Sequence, residues 1–246
     1  MSEWWRDFFD KDYVDIYGPV DAKKTALEVE GIIKILKLRK GSKVLDLCCG
    51  YGRHSIGLTK RGFDVTGYDL SAVLLERARR DCEREKVNVN LVIGDMREIP
   101  FESEFDAVIN MFTAFGYFEN ESEDQKVLDG VHAALRPGGK FLIDTINREW
   151  VTASFREKDW EKVGSHQFAL DLRSFDPLTS RISVKTVILG GKQRIERSHS
   201  MRFYTLTELG KMIEKSRMTL KSVYGHIDGR DYWIDTPRMV IFATKK

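Results

Sequence analysis

Three aspartates, each closing an apolar run, mark the chemistry this chain is equipped to do. In Val44-Leu45-Asp46-Leu47-Cys48-Cys49-Gly50-Tyr51-Gly52-Arg53-His54, an apolar stretch delivers Asp46, and glycines follow four and six residues later. Glycine has no Cβ, so the backbone there passes close to a ligand. The helix that follows offers unpaired N–H groups at its start. A lone Gly-x-Gly reads equally well as a tight strand-to-helix turn, and the next acid is what weakens that reading. Asp69 ends the following apolar run, 23 residues after Asp46. A carboxylate at that place accepts hydrogen bonds from both ribose hydroxyls of an adenosine. Asp95, in Gly94-Asp95-Met96, is a third acid at a third strand end and suits an adenine amino group.

The elements that must position these acids are legible from periodicity. Residues 4–16 and Ala22 to Leu38 read as helices, the second with Leu27, Ile32, Ile35, Leu36 and Leu38 as its apolar stripe. Strands are expected at Lys43–Cys48, Phe63–Tyr68, Val89–Ile93, Phe105–Asn110 and Lys140–Ile146, the last after an Arg136-Pro137-Gly138-Gly139 turn. Helices fall between them, one capped by Ser71 and one over Glu123–Leu135. Strands alternating with helices pair in parallel through right-handed crossovers, and ligands bind at their C-terminal ends.

After Asn147 the pattern changes to period two, in Phe168–Phe175, Arg181–Ile188 and Arg194–Tyr204, with turns at Asp176-Pro177 and Gly190-Gly191. A helix over Thr205–Arg217, capped by Thr205 or Thr207, and strands over Thr219–Tyr224 and Arg238–Thr244 complete the chain. The expected architecture is α/β. A Rossmann-like doubly wound, seven-stranded, mostly parallel sheet carries a small antiparallel β insertion. It forms a single domain over residues 1–246. Its parts are a helical cap (1–40), a cofactor-binding core (41–154), the insertion (155–203) and the final helix and strands (204–246).

Composition narrows the partners. Hydrophobic residues at 42% and charged residues at 32% fit a folded globular chain. A formal net charge of +2, with both signs interspersed, gives no footprint for a phosphate backbone, so nucleic acid is not expected. Cys48, Cys49 and Cys82 lack metal-ligand spacing and read as reduced thiols. The start MSEWWRDFFDKDY has no signal-peptide character, and no run approaches the ~20 apolar residues of a membrane span. These readings lead to a cytoplasmic chain that has no metal and no membrane contact.

Taken in order, the motifs resemble those of the class I S-adenosylmethionine-dependent methyltransferases, through most of residues 13–146 and again over 201–246. Asp46 to Gly52 is similar to that family's first motif, Tyr68-Asp69-Leu70-Ser71 to the second and Gly94-Asp95-Met96 to the third. Phe105 to Asn110 matches its fourth strand, and Leu135-Arg136-Pro137-Gly138-Gly139-Lys140 the turn before the fifth. Cys48 stands where many members have a glycine, and a small residue still fits there. The resemblance implies S-adenosylmethionine as cofactor and S-adenosylhomocysteine as product. It implies that Asp46 sets the charge around the methionine moiety, that Cys48, Gly50, Gly52 and Arg53 form the cofactor loop, and that Asp69 binds the ribose. Leu70 then flanks the adenine, Asp95 and Met96 contact it, and Asn110 lies beneath the methionyl portion. Tyr17 is similar to a tyrosine that many small-molecule methyltransferases fold over the cofactor.

A sulfonium is already an activated methyl donor, so the protein must mainly align a nucleophile in line with the methyl group. No catalytic triad is visible, and the catalytic residue is not identified by the sequence. His54, His132, His166, His199 and His226 are the histidine candidates, each read first as structural. Phe115, Tyr117, Asn147, Arg148, Arg202 and Tyr204 are expected around the acceptor, from their places at the C-terminal sheet edge. Arg202 is the candidate for holding an acidic substrate group. The insertion reads as a lid or as the surface of a homodimer. Trp4, Trp5, Phe8 and Phe9 read most simply as core packing, or as rings that close the site against it.

Three competing readings remain at this stage. A nicotinamide-dependent oxidoreductase shares the fold logic and needs a small residue at position 55, where this chain has Ser55, but Asp46 ahead of the loop and the Gly94-Asp95 pair favour a methyl donor. A tRNA or rRNA methyltransferase is disfavoured by Asn110-Met111-Phe112-Thr113, which lacks the Asn-Pro-Pro-aromatic pattern. A non-catalytic cofactor-binding subunit keeps the same motifs. The preferred reading is methyl transfer to a small-molecule acceptor.

Overall fold

The computed structural model describes residues 3–10, 13, 20–163, 167–190 and 193–246. In chain order the elements are α1 (Trp5–Phe8), α2 (Ala22–Leu36), β1 (Lys43–Leu47), α3 (Arg53–Thr59), β2 (Asp64–Asp69), α4 (Ala72–Glu85), β3 (Asn90–Ile93) and β4 (Phe105–Asn110). They continue with α5 (Glu121–Ala134), β5 (Leu135–Ile146), α6 (Arg148–Ala153) and strands β6 (Lys158–Val163), β7 (Gln167–Asp176), β8 (Arg181–Gly190) and β9 (Gln193–Arg202). Helix α7 (Leu206–Lys215), β10 (Met218–Tyr224) and β11 (Arg238–Lys245) close the chain.

The main sheet has seven strands in the order β10-β11-β5-β4-β1-β2-β3. Neighbours among β1 to β5 pair in parallel, while β11 pairs antiparallel with β5 and β10 antiparallel with β11. From β1 the chain first moves to β2 and β3 on one side and then returns to β4 on the other. That reversal opens a crevice at the C-terminal ends of β1 and β4, where Leu47 and Asn110 are paired in register.

Alternate residues of a strand face opposite sides, and both sides of this sheet are covered, which is why its strands read as near-continuous apolar runs. Leu45 and Leu47 join Phe105, Phe141, Leu128 and Leu209 in one core layer. Val44, Val65, Ile109 and Leu142 meet Ile32 and Leu36 of α2 in the other. Asp46 shares the parity of Val44, so it is directed toward α3 rather than toward the first layer.

The second sheet, β6-β7-β8-β9, is antiparallel throughout. Strand β6 carries mostly charged residues and α6 is short, and neither announces itself by apolar period. Helix α2 stops at Leu36, not Leu38, because Lys37 adopts a left-handed conformation (φ 47°) that ends the helical hydrogen bonding. The expected Pro137-Gly138-Gly139 turn lies within β5, where the register with β4 jumps from Phe105↔Leu135 to Ala107↔Lys140. Of the first predicted helix, α1 forms over Trp5–Phe8. Residues 11, 12 and 14–16, along with Tyr17 and His166, lie outside the described residues.

Thr205 is the cap of α7. Its hydroxyl accepts from the Glu208 N–H while Glu208 reaches back to the Thr205 N–H, a reciprocal capping box. Thr205→Ala is expected to cost about 1 kcal/mol, read as a fall in chemical-denaturation midpoint at unchanged slope. An unchanged midpoint would contradict this.

Candidate active site

The loop after β1 turns on three residues with positive φ: Cys48 (61°), Gly50 (55°) and Gly52 (76°). A Cβ on Gly52 would lie 3.1 Å from the Ala78 Cβ, so the packing of α3 against α4 needs glycine there. Cys48 holds a left-handed conformation despite its side chain, at a cost of order 1 kcal/mol. Its N–H and that of Cys49 both donate to the Tyr68 carbonyl, at 2.7 and 3.2 Å, tying the loop to the end of β2. Burial, with Asp69 and Asp46 nearby, pushes both thiols well above their usual pKa, so they stay protonated.

Asp69 sits where β2 ends. Its two carboxylate oxygens accept from the Gly50 N–H at 2.7 Å and the Ser71 N–H at 2.8 Å. Four lone-pair sites are available and these bonds use two, leaving acceptors for a diol. Burial pushes the carboxyl up to about 6, against the lowering effect of the backbone hydrogen bonds. Binding through the ionised form should therefore weaken as pH falls through about 6. Affinity for S-adenosylhomocysteine is expected to drop about tenfold between pH 7.5 and 5, measured by calorimetry. A flat profile would contradict that role.

Asp46 is buried and accepts from the Ser55 hydroxyl at 2.6 Å. Burial raises its pKa, with the His54 and Arg53 side chains opposing. Asp95 lies in the fork of Arg97, which donates to both of its oxygens. Burial acts to raise the Asp95 carboxyl, but the bonds from Arg97 outweigh it and hold the group below the usual range. Arg97 also reaches Glu3 and Glu123 and lies 4.8 Å from the Phe118 ring centroid, so one guanidinium fastens the N-terminal segment to the end of β3. Asn110 donates to the Leu47 and Ala114 carbonyls at 3.3 Å each, bracing the crevice from below.

These groups surround a cavity of about 520 Å³, within the usual range of ligand sites. Asp46, Cys48, Gly50, Arg53, Asp69, Leu70, Asp95 and Met96 line it, while Gly52 and Asn110 are not part of its lining. The rest of the lining is largely aromatic. Trp4 packs on Tyr117 at 5.1 Å between ring centroids and on His199 at 5.7 Å, and Phe8 packs on His199 at 5.1 Å. The segment that brings these rings is held at both sides. The Ser71 hydroxyl donates to the Phe9 carbonyl, and Arg197 of β9 donates to the Phe8 carbonyl and to Asp10. Phe112 and Thr113, both with positive φ, line the cavity just after β4, a concentration of backbone strain typical of ligand sites.

Of the residues expected around the acceptor, Tyr117 lines the cavity. The other five are outside the cavity lining and make contacts within the framework. Phe115 is buried in the core beside Tyr204, whose hydroxyl donates to Asp124 at 2.7 Å. Asn147 donates to the Trp233 and Thr236 carbonyls, and Arg148 to the Ser180 hydroxyl. Arg202 is engaged by Glu121 and Glu208 and lies outside the cavity lining. Sequence reasoning passed over Met201, Phe112 and Thr113 as cavity residues and read His199 first as structural. The period-two parity of β9, which groups Arg197, His199 and Met201 on one face, was the available signal.

Residues 44–139 match the sequence model of a family described as the methyltransferase domain. Ubiquinone biosynthesis O-methyltransferase of Coxiella burnetii (strain RSA 493 / Nine Mile phase I) is 27% identical over 179 residues, covering 70% of this chain and 71% of that protein. An S-adenosylmethionine-dependent methyltransferase from Clostridium acetobutylicum ATCC 824 shares the fold at TM-score 0.80 and 17% identity, over 99% of this chain and 98% of that one. An amino pentose methyltransferase from Micromonospora echinaspora, solved with S-adenosylmethionine bound, superposes at TM-score 0.70 and 20% identity over 92% of each chain.

Fold, glycine loop and acidic strand ends together define a Rossmann-like domain that binds an adenosine cofactor. Residues 44–139 match a methyltransferase domain, and the chain as a whole has the fold of S-adenosylmethionine-dependent methyltransferases. The residues present fit that cofactor: Asp69 keeps free acceptor sites, the loop presents glycines, and the Arg53 Nη2 atom is buried without a hydrogen-bond partner among the described residues.

Proposed function

We propose that this methyltransferase transfers its methyl group in line to a small-molecule acceptor held within the cavity. The observation that carries the reading is the cavity's division into an acidic wall at the strand ends and an aromatic wall built from the N-terminal segment and β9. Asp69 would hold the ribose, Asp46 and Arg53 would face the charged methionyl end, and Leu70, Asp95 and Met96 would surround the adenine. S-adenosylmethionine, when bound, supplies an electrophilic methyl group. The chain's own residues orient the acceptor, exclude water and take up charge. The O- and amino-sugar methyltransferases among the proteins it resembles support a small acceptor, as does the near-neutral charge of the chain.

In this reading one domain carries all the parts. The cap at 1–40 and the insertion at 155–203 act as a lid over the core at 41–154, and residues 204–246 complete the sheet. Among the described residues no helix is long and apolar enough to cross a membrane. The proposed compartment is the cytoplasm, consistent with free Cys48, Cys49 and Cys82. The outer face of the insertion, where Trp160, Phe168 and Leu172 are exposed, is the proposed surface of a homodimer. A monomeric mass in sedimentation would remove that assignment.

The function is tested by incubating the protein with methyl-labelled S-adenosylmethionine and, separately, phenols, amino sugars, small amines and bulk tRNA. Label is expected in a small molecule. Label in tRNA alone would overturn the proposal.

A further inference from the structure

The aromatic wall of the cavity carries a polar atom that no other group of the described protein satisfies. His199 lies on β9, on the side of that sheet facing the N-terminal segment, and its ring lines the cavity between Trp4 and Phe8. Its Nδ1 is buried without a hydrogen-bond partner. Buried polar atoms are normally paired, so an orphan on a cavity wall marks a place for a ligand atom. Thr113 Oγ1, on the same cavity, is a second such orphan.

The surroundings select what His199 can do. Burial pushes the imidazole below its usual pKa, with Asp171 opposing and Arg173 assisting. At neutral pH the ring is therefore uncharged and able to accept a proton, after which it pairs with the anion it has made. The charged groups of β7 and β9 on that face are engaged with one another or with the N-terminal segment. Asp171 accepts from Thr186 and Arg173, Arg173 also meets Asp159, and Arg197 pairs with Asp10. Tyr117 is pushed well above its usual pKa by burial and keeps its proton.

We propose that His199 is the proton acceptor for an uncharged aromatic acceptor bearing a hydroxyl group, its ring packed among Trp4, Phe8 and Tyr117. The inference rests on the methyltransferase reading and adds the acceptor class to it. As the hydroxyl oxygen forms its bond to the methyl carbon, the sulfur–methyl bond breaks with its electron pair going to sulfur. The hydroxyl proton passes to Nδ1 and then to solvent. A neutral hydroxyl is a weak nucleophile until its proton is taken as the bond to carbon forms, and the orphaned nitrogen fits that role.

The test uses the full chain saturated with S-adenosylhomocysteine and titrated with 4-nitrophenol, whose phenolate absorbs visible light. The wild type is expected to bind the phenol and to ionise it about one pH unit below its ionisation in free solution. His199→Phe is expected to weaken binding about tenfold and to abolish the ionisation shift. His199→Gln, which restores a hydrogen-bond acceptor without a basic nitrogen, is expected to recover binding but not ionisation, and it carries the comparison if the Phe variant fails to bind S-adenosylhomocysteine. A wild type that binds S-adenosylhomocysteine but not 4-nitrophenol, or a variant with an unchanged ionisation shift, overturns the proposal. A wild type that binds no S-adenosylhomocysteine overturns instead the reading on which it rests.

Discussion

Asp69→Ala is expected to reduce affinity for S-adenosylhomocysteine by several hundredfold while leaving the fold intact. The carboxylate's free acceptor sites face the cavity, and two charge-assisted hydrogen bonds to a ribose diol account for about 3–4 kcal/mol. That loss corresponds to roughly 150- to 900-fold in affinity. The substitution also releases the Gly50 and Ser71 N–H groups, which loosens the loop on the cofactor side. Asp69→Asn, which keeps the shape and one acceptor oxygen, should fall between the variant and the wild type. Titration calorimetry reads the effect, with circular dichroism confirming the fold. Affinity within threefold of wild type would remove Asp69 from the site.

The second large effect is expected at Glu28, which no motif marked. Its carboxylate accepts from Arg53 and faces His54 Nε2 at 3.0 Å, with the Glu28 and Arg53 side chains only 10% and 11% exposed. Burial works to raise the Glu28 carboxyl, and the bonds to His54 and Arg53 override it, holding the group at about 2. Glu28→Ala leaves the Arg53 guanidinium buried with its main partner removed, which costs about 3 kcal/mol. For a chain of this size that is roughly a 6–12 °C fall in melting temperature. The sign of the pH dependence follows from the depressed pKa. The stabilisation is fully present above 4.5, the group's ordinary value, and is lost as pH falls toward about 2. The gap between wild type and variant should therefore narrow in acid. A variant that melts with the wild type at pH 7 would show that the pair contributes nothing. Arg53 lines the cavity, so a weakened cofactor affinity is expected to accompany the loss of stability.

The main sheet was legible because strands β1, β4 and β5 are buried on both faces and appear as apolar runs separated by helical patterns. The acids were legible because Asp46, Asp69 and Asp95 fall at or just after the ends of β1, β2 and β3, where each follows an apolar run. What escaped was decided by contacts distant in sequence. Arg202 and Tyr204 do lie near the cavity's end of the sheet, but Glu121 and Asp124, some 80 residues earlier, claim their polar atoms. Asn147 is likewise taken by carbonyls of the loop before β11. The rings of Trp4, Phe8 and Phe9 have no regular spacing. Their place over the cavity is set by hydrogen bonds from Ser71 and Arg197 to backbone carbonyls, which no side-chain pattern encodes. Strand β6 stayed hidden because its outward residues are Lys158, Trp160 and Lys162, with little apolar alternation.

The measurement that bears most directly on the assignment is a crystal structure of the protein with S-adenosylhomocysteine. The nucleoside is predicted in the crevice above β1 and β4, with its ribose hydroxyls on Asp69, its adenine beside Leu70 and Met96, and its sulfur facing the aromatic wall. An unoccupied crevice at saturating ligand, or a nucleoside bound elsewhere on the chain, would contradict the assignment of this cavity as the cofactor site.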